Sequence, residues 1–253
     1  MFKGARIWWL LIGMLVVRMV VLEAAQRTGP VLGVAGDRFL VDGVPRFLVF
    51  FSYFDGVQRP QHVLHADLDY LSKKGVDGIR VLPNWKAQLF STDGVVRSPA
   101  LQQLTVLVAA AAARGMLVDV TFTRDTSCPP GTLPYEPVCA FSVAEYAEGI
   151  RVVATALKNY RNVLFDVQNE FPNHFSPEEF AATPHPVAVI RHAVKAVDPQ
   201  RIVTASSAGG QPPAAFAATS RTLELDVVAY HDRRDDERDP PAPNWATRTT
   251  DVV

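Results

Sequence analysis

Short apolar runs alternate with helix-patterned stretches along most of this chain, and that alternation restricts the fold more than any other feature. A run at Phe47–Phe51 leads into a helical stretch at His62–Lys74, where Val63, Leu64, Leu68 and Leu71 recur at helical spacing. Gly75 stands where a helix C-cap is expected. The run Gly78–Leu82 precedes a helix over Leu101–Arg114, stopped by Gly115, and Met116–Phe122 precedes a helix over Val143–Tyr160. Val163–Val167, Ile202–Ala205 and Leu225–Tyr230 follow, with a helix at Val187–Val197 closed by Asp198-Pro199. Ser176-Pro177-Glu178-Glu179 reads as a helix start, with Ser as N-cap, Pro in the first position and acids in the first turn. Strand starts fall roughly 25 to 45 residues apart, as βα units require. The expected fold is α/β, a TIM barrel of the (β/α)8 type, with about six of the eight units readable before Val253. Asp42-Gly43, between apolar runs, adds an N-terminal β-hairpin.

The first 25 residues form a separate unit. Lys3 and Arg6 precede an apolar run from Ile7 to Val17, and the small pair Ala24-Ala25 follows. Basic, apolar, small is the order of a secretory signal peptide. Arg18 breaks the run too early for a clean membrane span, so export with cleavage near Ala25 is expected. An uncleaved anchor in contact with a membrane, and a buried helix, are the alternatives. Residues 34–253 are expected to form one domain, incomplete at its carboxyl end. Cys128 and Cys139 flank a short Pro/Gly-rich loop, which a disulfide can pin after export; in a cytoplasmic protein they stay thiols. Two cysteines without nearby His make an incomplete zinc site, so no metal is expected, and no cofactor fingerprint is present. His62 and His65, one turn apart on a helix, read as a solvated face, with a metal pair as the alternative. A formal net charge of -1 gives no footprint for nucleic acid.

The stretch Val163-Leu164-Phe165-Asp166-Val167-Gln168-Asn169-Glu170 carries the chemistry. Its apolar core reads as a buried parallel strand that delivers an Asn-Glu pair to its carboxyl end. In α/β barrels that face holds the active site. The plainer reading is that Glu170 caps a turn or pairs with an Arg. Other polar residues fall at the same ends: Tyr53 and Asp55, Arg80 with Asn84 and Trp85, Thr123 to Asp125, Ser206 and Ser207, and Tyr230 to Asp232. Converging hydrogen-bonding groups with aromatic rings suit a hydroxyl-rich sugar, whose pyranose faces stack on rings such as Trp85 and Tyr230.

Phe39–Pro45, the strand Gly75–Val81 and Val163–Glu170 together resemble the clan A glycoside hydrolases, most closely family 5, the cellulase and mannanase family. The resemblance covers roughly Val34 to His231. It implies that Glu170 is the general acid/base, that Asn169 hydrogen-bonds the sugar 2-hydroxyl, that Arg80 helps hold a nucleophile ionised, and that His231 is the sixth-strand His. Retaining enzymes of this kind set two carboxyl groups about 5–5.5 Å apart. The family's nucleophile follows its seventh strand, and no seventh strand is read before Val253. The usual His-x-Tyr is replaced by Tyr230-His231-Asp232, and Thr123 or Arg124 stands where the family has a third-strand His. The expectation is a retaining glycosidase acting on β-linked oligosaccharide or polysaccharide, inactive in this truncated form. The rival is a carbohydrate-binding or envelope scaffold protein that kept the barrel and lost catalysis.

Overall fold

The computed structural model describes residues 29–84, 89–91, 93–124, 142–171, 174–208 and 212–231. The expected export segment, Trp85, Cys128 and Cys139 lie outside them. Strands β1 (Leu32–Ala35), β2 (Arg38–Val41) and β3 (Val44–Arg46) form a small antiparallel sheet. The expected hairpin joins β2 to β3, with Asp42 (φ 53°) and Gly43 (φ 81°) both left-handed, as a tight primed turn requires. Gly33 and Gly36 mask β1 as a strand in the sequence.

Strands β4 (Phe50–Ser52), β5 (Gly78–Val81), β6 (Leu117–Thr121), β7 (Val163–Asp166) and β8 (Ile202–Thr204) pair parallel in sequence order. A doubly wound sheet reverses its strand order at a switch point. An unreversed order is that of a sheet winding into a barrel. The helices are α1 (Gln61–Lys73), α2 (Ser98–Ala112), α3 (Val143–Ala156), α4 (Pro177–Phe180), α5 (Pro186–Val197) and α6 (Pro213–Thr222). Capping boxes open α3, between Ser142 and Glu145, and α4, between Ser176 and Glu179, so the start read at Ser176 holds. The sequence reading did not place α6, whose buried side is made mainly of Phe216 and small residues.

Leu225–Tyr230, expected as a strand, runs beside β8 with one bridge among the described residues, Ser206 to Ala229 just past the strand, and with backbone hydrogen bonds from Asp226 N–H to Val203 C=O at 2.9 Å and from Ser207 N–H to Ala229 C=O at 3.0 Å. Side chains occupy two of the groups a longer ladder would use. The Asp226 carboxylate accepts Val203 N–H at 2.8 Å, and the Thr204 hydroxyl donates to Val227 C=O at 2.7 Å.

Side chains alternate across the parallel sheet as strand geometry demands. Ile79, Val81, Val118, Val120, Val163, Phe165 and Val203 join the main core with Leu68, Leu104, Ile150 and Ile190 from the helices. Each such buried side chain stabilises by about 1.5–3 kcal/mol. The alternate positions Leu117, Leu164 and Ile202 pack instead with Leu32 and Val41 of the small sheet, which thereby closes the amino end of the barrel. Nearer the carboxyl end that same face carries Arg80, Asp119, Thr121 and Asp166.

On its outer side β4 pairs with no strand among the described residues. Phe47, Val49, Phe51 and Tyr70 are exposed. A cavity of about 540 Å³ lies beside this edge, lined by residues that include Phe51, Tyr53, Asp67 and Tyr70. It holds none of the residues around Glu170.

Candidate active site

Arg80 organises the carboxyl end of the barrel. It sits on β5 with its guanidinium largely sheltered, and Nη2 donates to Asn169 Oδ1 at 2.8 Å and to Asp166 Oδ2 at 3.3 Å. Its Nε donates to Thr121 Oγ1 at 2.9 Å and lies 3.6 Å from Asp119 Oδ2. The Thr121 hydroxyl donates onward to Asp119 Oδ1 at 3.0 Å. Burial, then the charge of Asp166, pushes the Asp119 carboxyl up to about 7, against the pull of Arg80 and Thr121.

Past Asp166 the chain leaves the ladder but stays tethered. Asn169 N–H donates to Phe122 C=O at 2.8 Å, and Gln168 exchanges two hydrogen bonds with the Arg124 backbone. Glu170 is then held at φ 49°, a conformation that costs a non-glycine residue energy and persists only where its surroundings impose it. Ser206 at the end of β8 imposes it. Its Oγ accepts Glu170 N–H at 3.1 Å and approaches Asn169 Oδ1 at 3.4 Å, while its own N–H donates to Asp166 Oδ1 at 3.1 Å. With Asn169 Oδ1 occupied by Arg80, the amide donors of Asn169 remain for a ligand.

His231 reaches the same place from the bridge residues. Its backbone N–H donates to Ser207 Oγ at 2.7 Å, and its Nδ1 lies 3.5 Å from Glu170 Oε1. Burial and then the Arg80 charge lower the pKa of this imidazole. Arg80, Asn169, Glu170 and His231 are therefore brought together as the sequence placed them. Tyr230 packs toward the main core, with its ring 6.3 Å from Phe216.

Other residues collected at the strand ends go elsewhere. Tyr53 is buried and donates to Asp67 of α1 at 2.6 Å. Arg124 makes a two-point contact with Glu179 of α4, at 2.8 and 3.1 Å. Asp119, Thr121 and Asp166 lie inside strands, where the sequence reading places no site residue but Arg80. An Asp at alternate positions inside two otherwise apolar strands was the available signal. No cluster of metal-ligating side chains occurs among the described residues.

An Asn-Glu pair at the end of the fourth parallel strand, with an Arg from the second strand behind it, is the arrangement to compare with known proteins. The model of the cellulase family, glycosyl hydrolase family 5, matches residues 50–245, more than half of the chain. The chain belongs to glycosyl hydrolase family 5.

Solved structures similar to this family 5 chain include the β-mannanase of the blue mussel Mytilus edulis, at 18% identity over 71% of this chain and 64% of that one, with a TM-score of 0.51. A family 5 glycoside hydrolase from Bacteroides vulgatus matches at 14% identity over 80% of this chain and 44% of that one, with a TM-score of 0.54. A family 5 protein from Streptomyces cattleya, solved with Manβ1-4GlcNAc, matches at 24% identity over 64% of this chain and 45% of that one, with a TM-score of 0.48. No curated protein matches the chain. The chain thus spans about half the length of these structures, 44% to 64%. Membership makes β4 to β8 the first five strands of a (β/α)8 barrel.

Proposed function

We propose that this family 5 protein hydrolyses β-linked glycans with retention of configuration. Glu170 protonates the leaving oxygen and then activates water, and Asn169 donates to the sugar 2-hydroxyl. A nucleophilic carboxylate attacks the anomeric carbon from a part of the barrel outside the described residues. The observation that carries this reading is the Arg80–Asn169 hydrogen bond of 2.8 Å, which sets the amide donors beside Glu170 at one mouth. His231 adds a further polar group to the same pocket, and Trp85 is the candidate stacking ring, Tyr230 being turned toward the core. The description of the Mytilus edulis protein as a β-mannanase puts β-mannan beside β-glucan among the substrates to try.

Aryl β-mannosides, aryl β-glucosides, mannan and cellulose should be offered to residues 26–253 and to a chain extended through eight βα units, with the first-formed anomer read by proton NMR. The extended chain should release the β-anomer, and residues 26–253 alone should be inactive and prone to aggregate. First release of the α-anomer would exclude retention. Sugar binding without turnover in both forms would favour the carbohydrate-binding reading.

Export is proposed on the order of charges and apolar residues before Ala25, and with it a Cys128–Cys139 disulfide that closes a short loop, worth roughly 2–3 kcal/mol. Mass spectrometry of secreted material alkylated without reduction should find neither cysteine labelled. Two labelled cysteines would exclude the bond.

A further inference from the structure

Two carboxylates flank one guanidinium inside the barrel, and their contacts differ. Asp166 accepts Arg80 Nη2 at 3.3 Å and the Ser206 N–H at 3.1 Å, so each of its oxygens has a donor. Asp119 has one hydrogen-bonding contact, with the Thr121 hydroxyl at 3.0 Å. Arg80 Nε stands 3.6 Å from it and gives its hydrogen to Thr121 instead. The charged groups facing Asp119 are Arg80 from β5 and Asp166 from β7, with Glu170 and His231 beyond Asn169 at the mouth. If both aspartates were ionised, one sheltered guanidinium would have to balance two carboxylates in a place where water does little of the screening.

We propose that Asp119 is a positioning residue that works as a neutral acid: it keeps its proton at neutral pH, leaves Asp166 as the counter-ion of Arg80, and so holds the guanidinium on Asn169. The relay from Arg80 Nε through Thr121 to Asp119 fixes the guanidinium plane without drawing its charge away. Once Asp119 ionises, a second anion stands beside Nε and competes with Asn169 for Arg80. The upward push on this carboxyl, from an ordinary 3.8 to about 7, is in the required direction.

The linkage has a definite sign. Between about pH 4 and pH 7 the folded protein holds a proton on Asp119 that the unfolded chain has released. Its contribution to stability is therefore complete below the unfolded value and is lost as pH rises through the folded one. The proposal deepens the glycosidase reading, because it makes sugar alignment by Asn169 sensitive to alkaline pH. The protonation itself is read without turnover, so the two ideas fail separately.

The test is a carbon-13 NMR titration of the aspartate carboxyls in the full chain, with urea unfolding of wild type, Asp119→Asn and Asp166→Asn at about pH 5.5 and about pH 8. One carboxyl should titrate near 7, and its resonance should be missing from Asp119→Asn. That variant, a neutral isostere, should already exceed wild type at the lower pH, where the unfolded wild type has released its proton, and its margin should widen at the higher. Asp166→Asn should be less stable at both. A set of aspartates all titrating in the ordinary range would overturn the proposal. So would an Asp119→Asn variant that loses stability at the higher pH as Asp166→Asn does. If Asp119→Asn does not fold, Asp119→Glu serves for the assignment, and a wild-type spectrum with no carboxyl titrating near 7 is decisive against it.

Discussion

Replacing Glu170 by glutamine should cost a turnover-competent form of this family 5 protein about 10²–10⁴-fold in kcat/KM on glycosides with poor leaving groups. Aryl glycosides of acidic phenols should keep their first step, because their leaving oxygen departs with little protonation. The amide retains the shape of the side chain, and the left-handed backbone at this residue is held by Ser206 through the main-chain N–H, which glutamine also has. The mouth should therefore persist around Arg80 and Asn169, and the loss should appear in chemistry rather than in folding. Two measurements decide the matter: pre-steady-state release of an activated phenol, and steady-state hydrolysis of a disaccharide. Equal losses on both substrates, or no loss on either, would remove Glu170 from the acid/base role.

Arg201→Met should lower the unfolding free energy by about 3–5 kcal/mol, the range seen when one partner of a buried ion pair is removed. Arg201 is among the most deeply buried side chains, and burial pushes its guanidinium down to about 10. It stays charged because both terminal nitrogens donate and Asp198 lies beside them. Nη1 donates to Tyr160 and Val163 carbonyls at 2.8 and 2.7 Å, and Nη2 donates to the Leu157 carbonyl at 2.7 Å and meets Asp198 at 2.9 Å. The cation also lies over Phe165, 5.2 Å from the ring centre. Methionine would fill much of the space and take the guanidinium donors from the Tyr160 and Val163 carbonyls, with Leu157 C=O keeping the Tyr160 N–H and buried Asp198 keeping Arg161. Urea unfolding at neutral pH should show a lower midpoint with an unchanged slope. A loss under about 1 kcal/mol would mean that the carbonyls find other donors.

The strand–helix rhythm was legible because each βα unit announces itself locally. The apolar run of β7 and the helical spacing of Leu64, Leu68 and Leu71 need no distant partner to be recognised. Glu170 and Asn169 were legible because they follow directly from where β7 ends. Destinations of long side chains were less so. Tyr53 and Arg124 both follow strands, yet Tyr53 goes to Asp67 and Arg124 to Glu179, choices set by helices that the sequence does not align with them. Asp119 and Thr121 required reading the inside of β6 at period two, and a short strand buried on both faces hides that period among apolar neighbours. The Leu225–Tyr230 segment has strand composition. How far it pairs depends on Asp226 and Thr204 side chains taking backbone groups, which is a tertiary outcome.

The small sheet at the amino end of the barrel has a consequence for the order of folding. Leu32 and Val41 are made before any barrel strand, yet the residues that cover them include Ile202 and Val227, near the other end of the described chain. A ribosome adding about 5–20 residues per second needs roughly 10 to 30 s to reach Ile202 after Val41. Through that interval the hairpin can form while its apolar face has only part of its cover. Contacts of such long sequence separation also make the closing step slow. The floor of the barrel is thus synthesised ahead of every strand that covers it and is among the last parts to be sealed, and the nascent chain carries a sticky surface there until β7, β8 and Val227 arrive.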